Sequence, residues 1–404
     1  VPVDPGYKML ADPGNGIGLK TPLASLFFTF CFILLFFLQY KLAASIDKKK
    51  ALFVLILVGV VYFISMPFFS SDVFLYVFKG KIQATMSLNP YEPVTYFDTP
   101  YIYLSPWIFV PLAYGPLANL VFKAAYIEGL SPFLNMYLLK IIFLLFFAAA
   151  VRAAYRWSAA NNFIFFVLSP FVLIEGVLCA HLDMMPLPFL ILSIFFMKKE
   201  NFSLAFLFLG VATAFKVNYA MFMLPFFIEC VRKRKRFWFD GLYFVFPILV
   251  SILIFPGVSK YIDAIKYVGS LNSVSCFKLF SYIKFGKYVF ILAAALVFIY
   301  LFSLYLKKKI DVLRFSYIFF MTFLLFDKIF QPWHIFPLYA LLLFLKQKKI
   351  DHFGLIAFVG IYSVFFLFQE WNPVQNIIAT IFILTGIIYT IVSEFIDIKK
   401  NKYV

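Results

Sequence analysis

Charge is what this sequence has least of. Only 14% of its 404 residues are charged, and the acidic side chains are the minority, 19 against 36 Lys and Arg. A soluble domain carries about 25% charged and about 45–50% apolar residues, whereas 64% of this chain is hydrophobic. That balance excludes a soluble globular fold and predicts an all-α, polytopic membrane protein. Histidine is scarcer still, at three residues, which leaves little material for a His-built metal centre. The four cysteines, Cys31, Cys179, Cys230 and Cys276, are far apart and outside any CxxC spacing. Neither a disulfide framework nor a structural zinc is expected from them. No internal repeat or low-complexity tract is present, and residues 1–21 read as a non-cytoplasmic tail or truncated start with no signal-peptide pattern.

What is present is apolar sequence cut by basic punctuation. The net charge of +17 would raise nucleic acid as a partner for a soluble protein. Here the basic residues sit in short runs between apolar segments, as orientation signals and contacts to lipid headgroups do. Nucleic acid is therefore not an expected partner; membrane lipid is. On a length of about 20 apolar residues per crossing, the chain offers about 13 spans. They lie near 22–44, 51–69, 132–151, 160–179, 184–197, 201–215, 217–231, 237–255, 287–306, 313–330, 332–346, 353–369 and 374–396.

The basic runs then fix direction. Lys48-Lys49-Lys50, Arg152 with Arg156, Lys198-Lys199, Arg232 to Arg236, Lys307-Lys308-Lys309, Lys346 to Lys349 and Lys399-Lys400 are all assigned to the cytoplasm. The expected span ending near Phe69 leaves that side and 132–151 returns to it, so 70–131 starts and finishes outside. The apolar piece 105–127 is therefore expected not to cross but to lie along the interface or re-enter, which Pro106, Pro111 and Pro116 would suit. Three parts are expected: the tail 1–21, a transmembrane catalytic region 22–346 that includes the outer loop 70–131, and C-terminal helices with a short cytoplasmic tail at 347–404.

On this topology the unusual polar residues collect on the outer face. Asp72 follows an apolar run, and a carboxylate at the mouth of a spanning helix is costly unless it works. It is the expected general base, with helix capping by Ser70-Ser71-Asp72 as the competing structural role. Lys216, beside Asn218, is a point charge for a phosphate or a snorkelling side chain. His181 and Asp183 follow a helix end that holds Glu175 and Cys179, and could orient a ligand or satisfy one another. Gln331-Pro332-Trp333-His334 forms a second polar knot near Asp327, suited to sugar stacking and phosphate hydrogen bonds. Tyr91, Tyr114 and Trp333 offer faces for sugar rings. No further His or carboxylate stands at ligand spacing, so no metal or other cofactor is expected.

Taken in order, these pieces resemble the GT-C superfamily of integral-membrane glycosyltransferases, and within it the polyprenyl-phosphate-mannose-dependent mannosyltransferases of prokaryotic envelopes. The matching residues are Ser71-Asp72 with Tyr76 and Gly80, Asn89-Pro90-Tyr91, and Tyr114-Gly115-Pro116-Leu117. They continue with Ser169-Pro170, Glu175-Gly176, His181-Leu182-Asp183, Lys216-Val217-Asn218, Leu224-Pro225, Asn272-Ser273 and Gln331-Pro332-Trp333. The likeness covers about residues 50–345; Leu182 stands where the family usually has Asn.

The resemblance implies juxtamembrane helices in the first large outer loop, an outward-facing active site in a prokaryotic cell membrane, and Asp72 as base. It implies a polyprenyl-phosphate-linked sugar as donor and a glycan, lipid or protein as acceptor. Lys216 and His334 are then expected at the donor phosphate, and Tyr76, Asn89, Tyr91, Tyr114, His181, Asp183, Asn218, Gln331 and Trp333 around the substrates. The expected activity is an inverting hexosyl transfer, of mannose in the closest relatives. The competing class is a secondary transporter or lipid carrier with Glu175, Asp183 and Asp327 as coupling groups, although the two related halves typical of such carriers are not visible.

Overall fold

The structure, a computed structural model, describes residues 22–67, 69–94, 100–105, 107–233, 237–255, 257–269, 280, 284–326, 331–345, 354–356 and 373–399. All regular elements among the described residues are helical. The tail 1–21, Asn272 and Ser273, Asp327, and most of the expected span 353–369 lie outside them.

The chain begins with α1 (Pro22–Ser45) and α2 (Lys48–Ile64). Asp47 caps α2 by accepting the Lys50 N–H at 2.8 Å, which satisfies one of the four orphan donors of a helix start. Then come α3 (Asp72–Thr85) and α4 (Pro116–Ala125). At α5 (Pro132–Trp157) the Ser131 hydroxyl accepts the Leu134 N–H, and Pro132 occupies the first turn, where its missing donor costs nothing. The chain continues through α6 (Ala160–Val167), α7 (Leu187–Lys198), α8 (Phe202–Phe215), α9 (Met223–Lys233) and α10 (Phe237–Ile254). It closes with α11 (Tyr261–Val268), α12 (Gly286–Leu306), α13 (Val312–Leu324), α14 (Phe336–Leu342) and α15 (Pro373–Lys399).

Four of these, α1, α5, α12 and most of α15, are long and apolar enough to cross a membrane, and up to six spans result if two bent pairs each count as one. The thirteen spans expected from apolar runs are not reached among the described residues. The expected span 160–179 breaks after Val167, where Ser169-Pro170 interrupts the ladder, and resumes at 52° as a π-wound segment, Val172–Leu178. The runs at 184–197 and 201–215 become α7 and α8, of 12 and 14 residues. At ~1.5 Å per residue they are about 18–21 Å long, short of a ~30 Å hydrocarbon core. Both are apolar because neighbours surround them: α8 packs extensively on α7 and α10. Among the described residues the piece 105–127 is likewise no continuous helix, and its helical part is the ten-residue α4.

Two hydrophobic clusters result. The larger joins α6, the π segment, α7 to α9, α13 and α14, and the smaller joins α3, α4 and the N-terminal half of α5. α3 and α4 meet where Gly80 lies so close to the Phe122 carbonyl that a Cβ there would stand 2.3 Å from its oxygen. The seam between the clusters is 179–185: Cys179 and Met184 belong to the larger, while Ala180, Leu182 and Met185 belong to the smaller. Far from that seam, a buried Arg314–Glu394 ion pair of 2.6 Å fastens α15 to α13.

Candidate active site

The polar residues that the sequence scatters over more than 250 positions converge on that seam. α3 starts at Asp72 because Ser70 Oγ accepts the Asp72 N–H at 3.2 Å. The N-cap residue Ser71 makes no side-chain hydrogen bond, Ser70 holds the first N–H, and the Asp72 carboxylate turns elsewhere. Its Oδ2 lies 3.7 Å from His181 Nδ1, and His181 Nε2 lies 3.1 Å from Glu175 Oε2. The π winding supports this arrangement. Cys179 N–H donates to the Ile174 carbonyl and His181 N–H to the Glu175 carbonyl, so the chain folds tightly enough to bring Glu175 and His181 side by side. Trp333, from the turn Pro332–Ile335, stacks on the imidazole with ring centres 3.7 Å apart.

Exposure separates these partners. His181 and Glu175 are fully enclosed, while the Asp72 side chain keeps 13% of its surface open. Burial raises the Asp72 carboxyl above its ordinary value, opposed by His181 and Ser70. Burial also pushes the His181 imidazole down to about 4, against the pull of Asp72 and Asp183 and with help from Lys216 and His334. A neutral imidazole has one N–H and one lone pair to share between its two carboxylate neighbours.

Beside this chain lies a buried ion pair. Lys216 Nζ donates to Asp183 Oδ2 at 2.7 Å, and both side chains are nearly enclosed. The Tyr219 hydroxyl approaches the same carboxylate at 3.5 Å. Lys216 caps α8 in an extended conformation, and its ammonium sits 5.9 Å above the Tyr114 ring. The Tyr114 hydroxyl is 3.3 Å from that of Tyr76, which is itself stacked on Phe122.

Gly115 is what allows the Tyr114 loop so near α8. Its N–H donates to the Phe215 carbonyl at 2.8 Å, and an added Cβ would fall 2.1 Å from the Ala214 oxygen. Backbone cannot yield as a flexible side chain does. Gly115→Ala is therefore expected to destabilise the fold by roughly 1–3 kcal/mol, as overpacking does, and to lower turnover by moving Tyr114; thermal unfolding in detergent and an activity assay check both.

The expected site residues thus divide. Asp72, Tyr76, Tyr114, His181, Asp183, Lys216 and Trp333 form one cluster, and His334 lies near enough to act on His181. Gln331 and Asn218 flank it, half-buried at the starts of the turns that carry Trp333 and Tyr219. Asn89 and Tyr91 make their contacts elsewhere. Asn89 donates to the Gly257 carbonyl at 3.2 Å and accepts the Tyr91 N–H, while Tyr91 packs on Phe255 and Tyr261. They fasten the stretch after α3 to the stretch between α10 and α11. Tyr219 was not anticipated, although its place three residues after Lys216 was a signal. Glu175, Cys179 and His181 also bring their donor atoms within 4.8 Å of one another, a candidate ligand set that the sequence spacing did not suggest.

A helical membrane protein with a partly exposed carboxylate backed by an imidazole, beside a buried cation, has the parts of a membrane-embedded group transferase. Over residues 12–232, more than half its length, the chain matches the family described as alpha-(1->6)-mannopyranosyltransferase, N-terminal domain (MptA_B family). It belongs to that family, a GT-C-type family of membrane mannosyltransferases. No curated protein matches the chain. Membership favours a glycosyltransferase over the carrier reading.

Proposed function

We propose that the protein transfers mannose from a polyprenyl-phosphate-linked donor to a hydroxyl of an extracytoplasmic glycan, lipid or protein, with inversion at the anomeric carbon. The observation that carries the assignment of roles is the difference in exposure: of the three linked side chains, Asp72 alone can be touched by substrate. In the proposed reaction the acceptor oxygen attacks the anomeric carbon while its proton passes to the Asp72 carboxylate. The bond from that carbon to the phosphate oxygen breaks, and the lipid phosphate leaves with the electron pair. A carboxylate made more basic by burial suits this step.

Glu175 and His181 do not touch substrate in this reading but hold Asp72 in place. Lys216 spends one of its three N–H groups on Asp183, and the others, with His334, stabilise the departing phosphate. Tyr114, Tyr76 and Trp333 surround the sugar. Purified protein given a labelled polyprenyl-phosphate mannose and a membrane glycan extract is expected to produce labelled glycan; uptake or exchange of donor without transfer would refute the proposal.

The same cluster tells relay from ligand set. If Glu175 acts through His181, Glu175→Gln lowers kcat by as much as ~10²-fold, the cost of a misplaced reacting group, while Cys179→Ser costs little. Equal damage from both substitutions, reversed by added divalent metal, would instead assign the three side chains to a cation.

A further inference from the structure

A wide groove outside that cluster has no role in that reaction. It lies between α2 and α5, has a volume of about 990 Å³, and is lined by apolar side chains such as Leu52, Ile56 and Phe63 on one wall and Leu144, Ala148 and Val151 on the other. Arg152 and Arg156 complete the lining at one end. The two helices run antiparallel and are tied at both ends. At one, Tyr137 donates to the Ile64 carbonyl and Lys140 to the carbonyls of Tyr62 and Ser65. At the other, Lys48 donates to the carbonyls of Tyr155 and Ser158. Between the ties both helices rest on the π segment, whose Val177 forms part of the groove floor. The gap is therefore built into the fold and is not a slack contact.

Its dimensions and charge point to one kind of occupant. From Leu144 to Arg156 the helix rises about 18 Å at ~1.5 Å per residue, close to one leaflet of a ~30 Å hydrocarbon core. The two guanidiniums project one turn apart where a lipid headgroup would lie, and neither has a hydrogen-bond or ionic partner among the described residues. Lys48 beside them donates to the carbonyls of Tyr155 and Ser158 and adds a third positive charge at that end, where the Asp47 side chain is engaged in capping α2. We propose that the groove holds a chain of an anionic glycerophospholipid from the leaflet on the basic side, with its phosphate between Arg152 and Arg156. Arg suits this task because its planar fork can grip a phosphate through two bonds. The site is independent of the proposed sugar transfer. A polyprenyl-phosphate donor would bring its phosphate to the opposite end, near Asp72.

Gly59 supplies a clean test, because a side chain added there meets nothing within 4 Å and would grow into the groove. The full-length protein is placed in nanodiscs of phosphatidylcholine doped with phosphatidylglycerol, extracted into mild detergent, and examined by native mass spectrometry. The wild type is expected to retain a single phosphatidylglycerol. Arg152→Gln/Arg156→Gln, both exposed and so compatible with folding, should lose about tenfold or more of that retention, at ~1 kcal/mol per basic residue near a headgroup. Gly59→Trp should lose it with an unchanged melting temperature. Equal retention of phosphatidylglycerol in the wild type and the arginine double variant, indifference between the two phospholipids, or a polyprenyl phosphate as the retained species would overturn the proposal.

Discussion

Asp72→Asn is expected to lower transfer by about 10²–10⁴-fold, the range that a positioned general base contributes, while the protein folds and binds donor as before. The amide has nearly the shape of the carboxylate and keeps an oxygen toward His181, 3.7 Å away, but it cannot take a proton from the acceptor. The Asp72 N–H still has Ser70 Oγ to hold it, so the start of α3 survives. Single-turnover transfer with labelled donor, alongside donor binding by fluorescence or filtration, separates chemistry from affinity. Wild-type turnover in the variant would remove Asp72 from the reaction; lost donor binding would make it a binding residue instead.

The second large effect concerns Lys216. Its ammonium and the Asp183 carboxylate lie 2.7 Å apart with almost no exposure, and removing one member of such a pair leaves a charge stranded. Lys216→Met should therefore destabilise the protein by about 3–5 kcal/mol, whereas replacing a buried pair by apolar groups is often close to neutral. The double variant Lys216→Met/Asp183→Leu is expected to regain most of the thermal stability yet remain inactive, because no cation then meets the leaving phosphate. Recovery of activity along with stability would reduce Lys216 to a structural role. A single variant as stable as the wild type would mean that the pair contributes nothing to the fold.

Most of this cluster was legible in the sequence, for a physical reason. In a chain so poor in charge, Asp72, His181, Asp183 and Lys216 stand out at the ends of apolar runs, where leaving them unsatisfied is expensive. Partnership was less legible. Glu175 and His181 are brought together by π winding, and a reading based on 3.6 residues per turn does not anticipate that register. Asn89 and Tyr91 carry a recognisable Asn-Pro-Tyr signal, but a signal of type does not name the partner, and theirs is the 255–261 stretch. Counting apolar runs also gave more spans than the four to six that the described helices carry by length and composition. α7 and α8 are apolar all round because other helices enclose them, and periodicity does not distinguish such a helix from a lipid-facing one.

Trp333 lies a hundred residues beyond the part of the chain that carries the family match, yet its indole covers the imidazole at the centre of the cluster. The cluster is therefore assembled from two distant stretches of sequence. One supplies Asp72 and its supports; the other supplies the ring that covers His181. Swapping the later stretch between relatives would alter what sits above His181 while leaving Asp72 and its anchors intact, so a chimera exchanging residues near 333 is the natural place to seek altered acceptor choice.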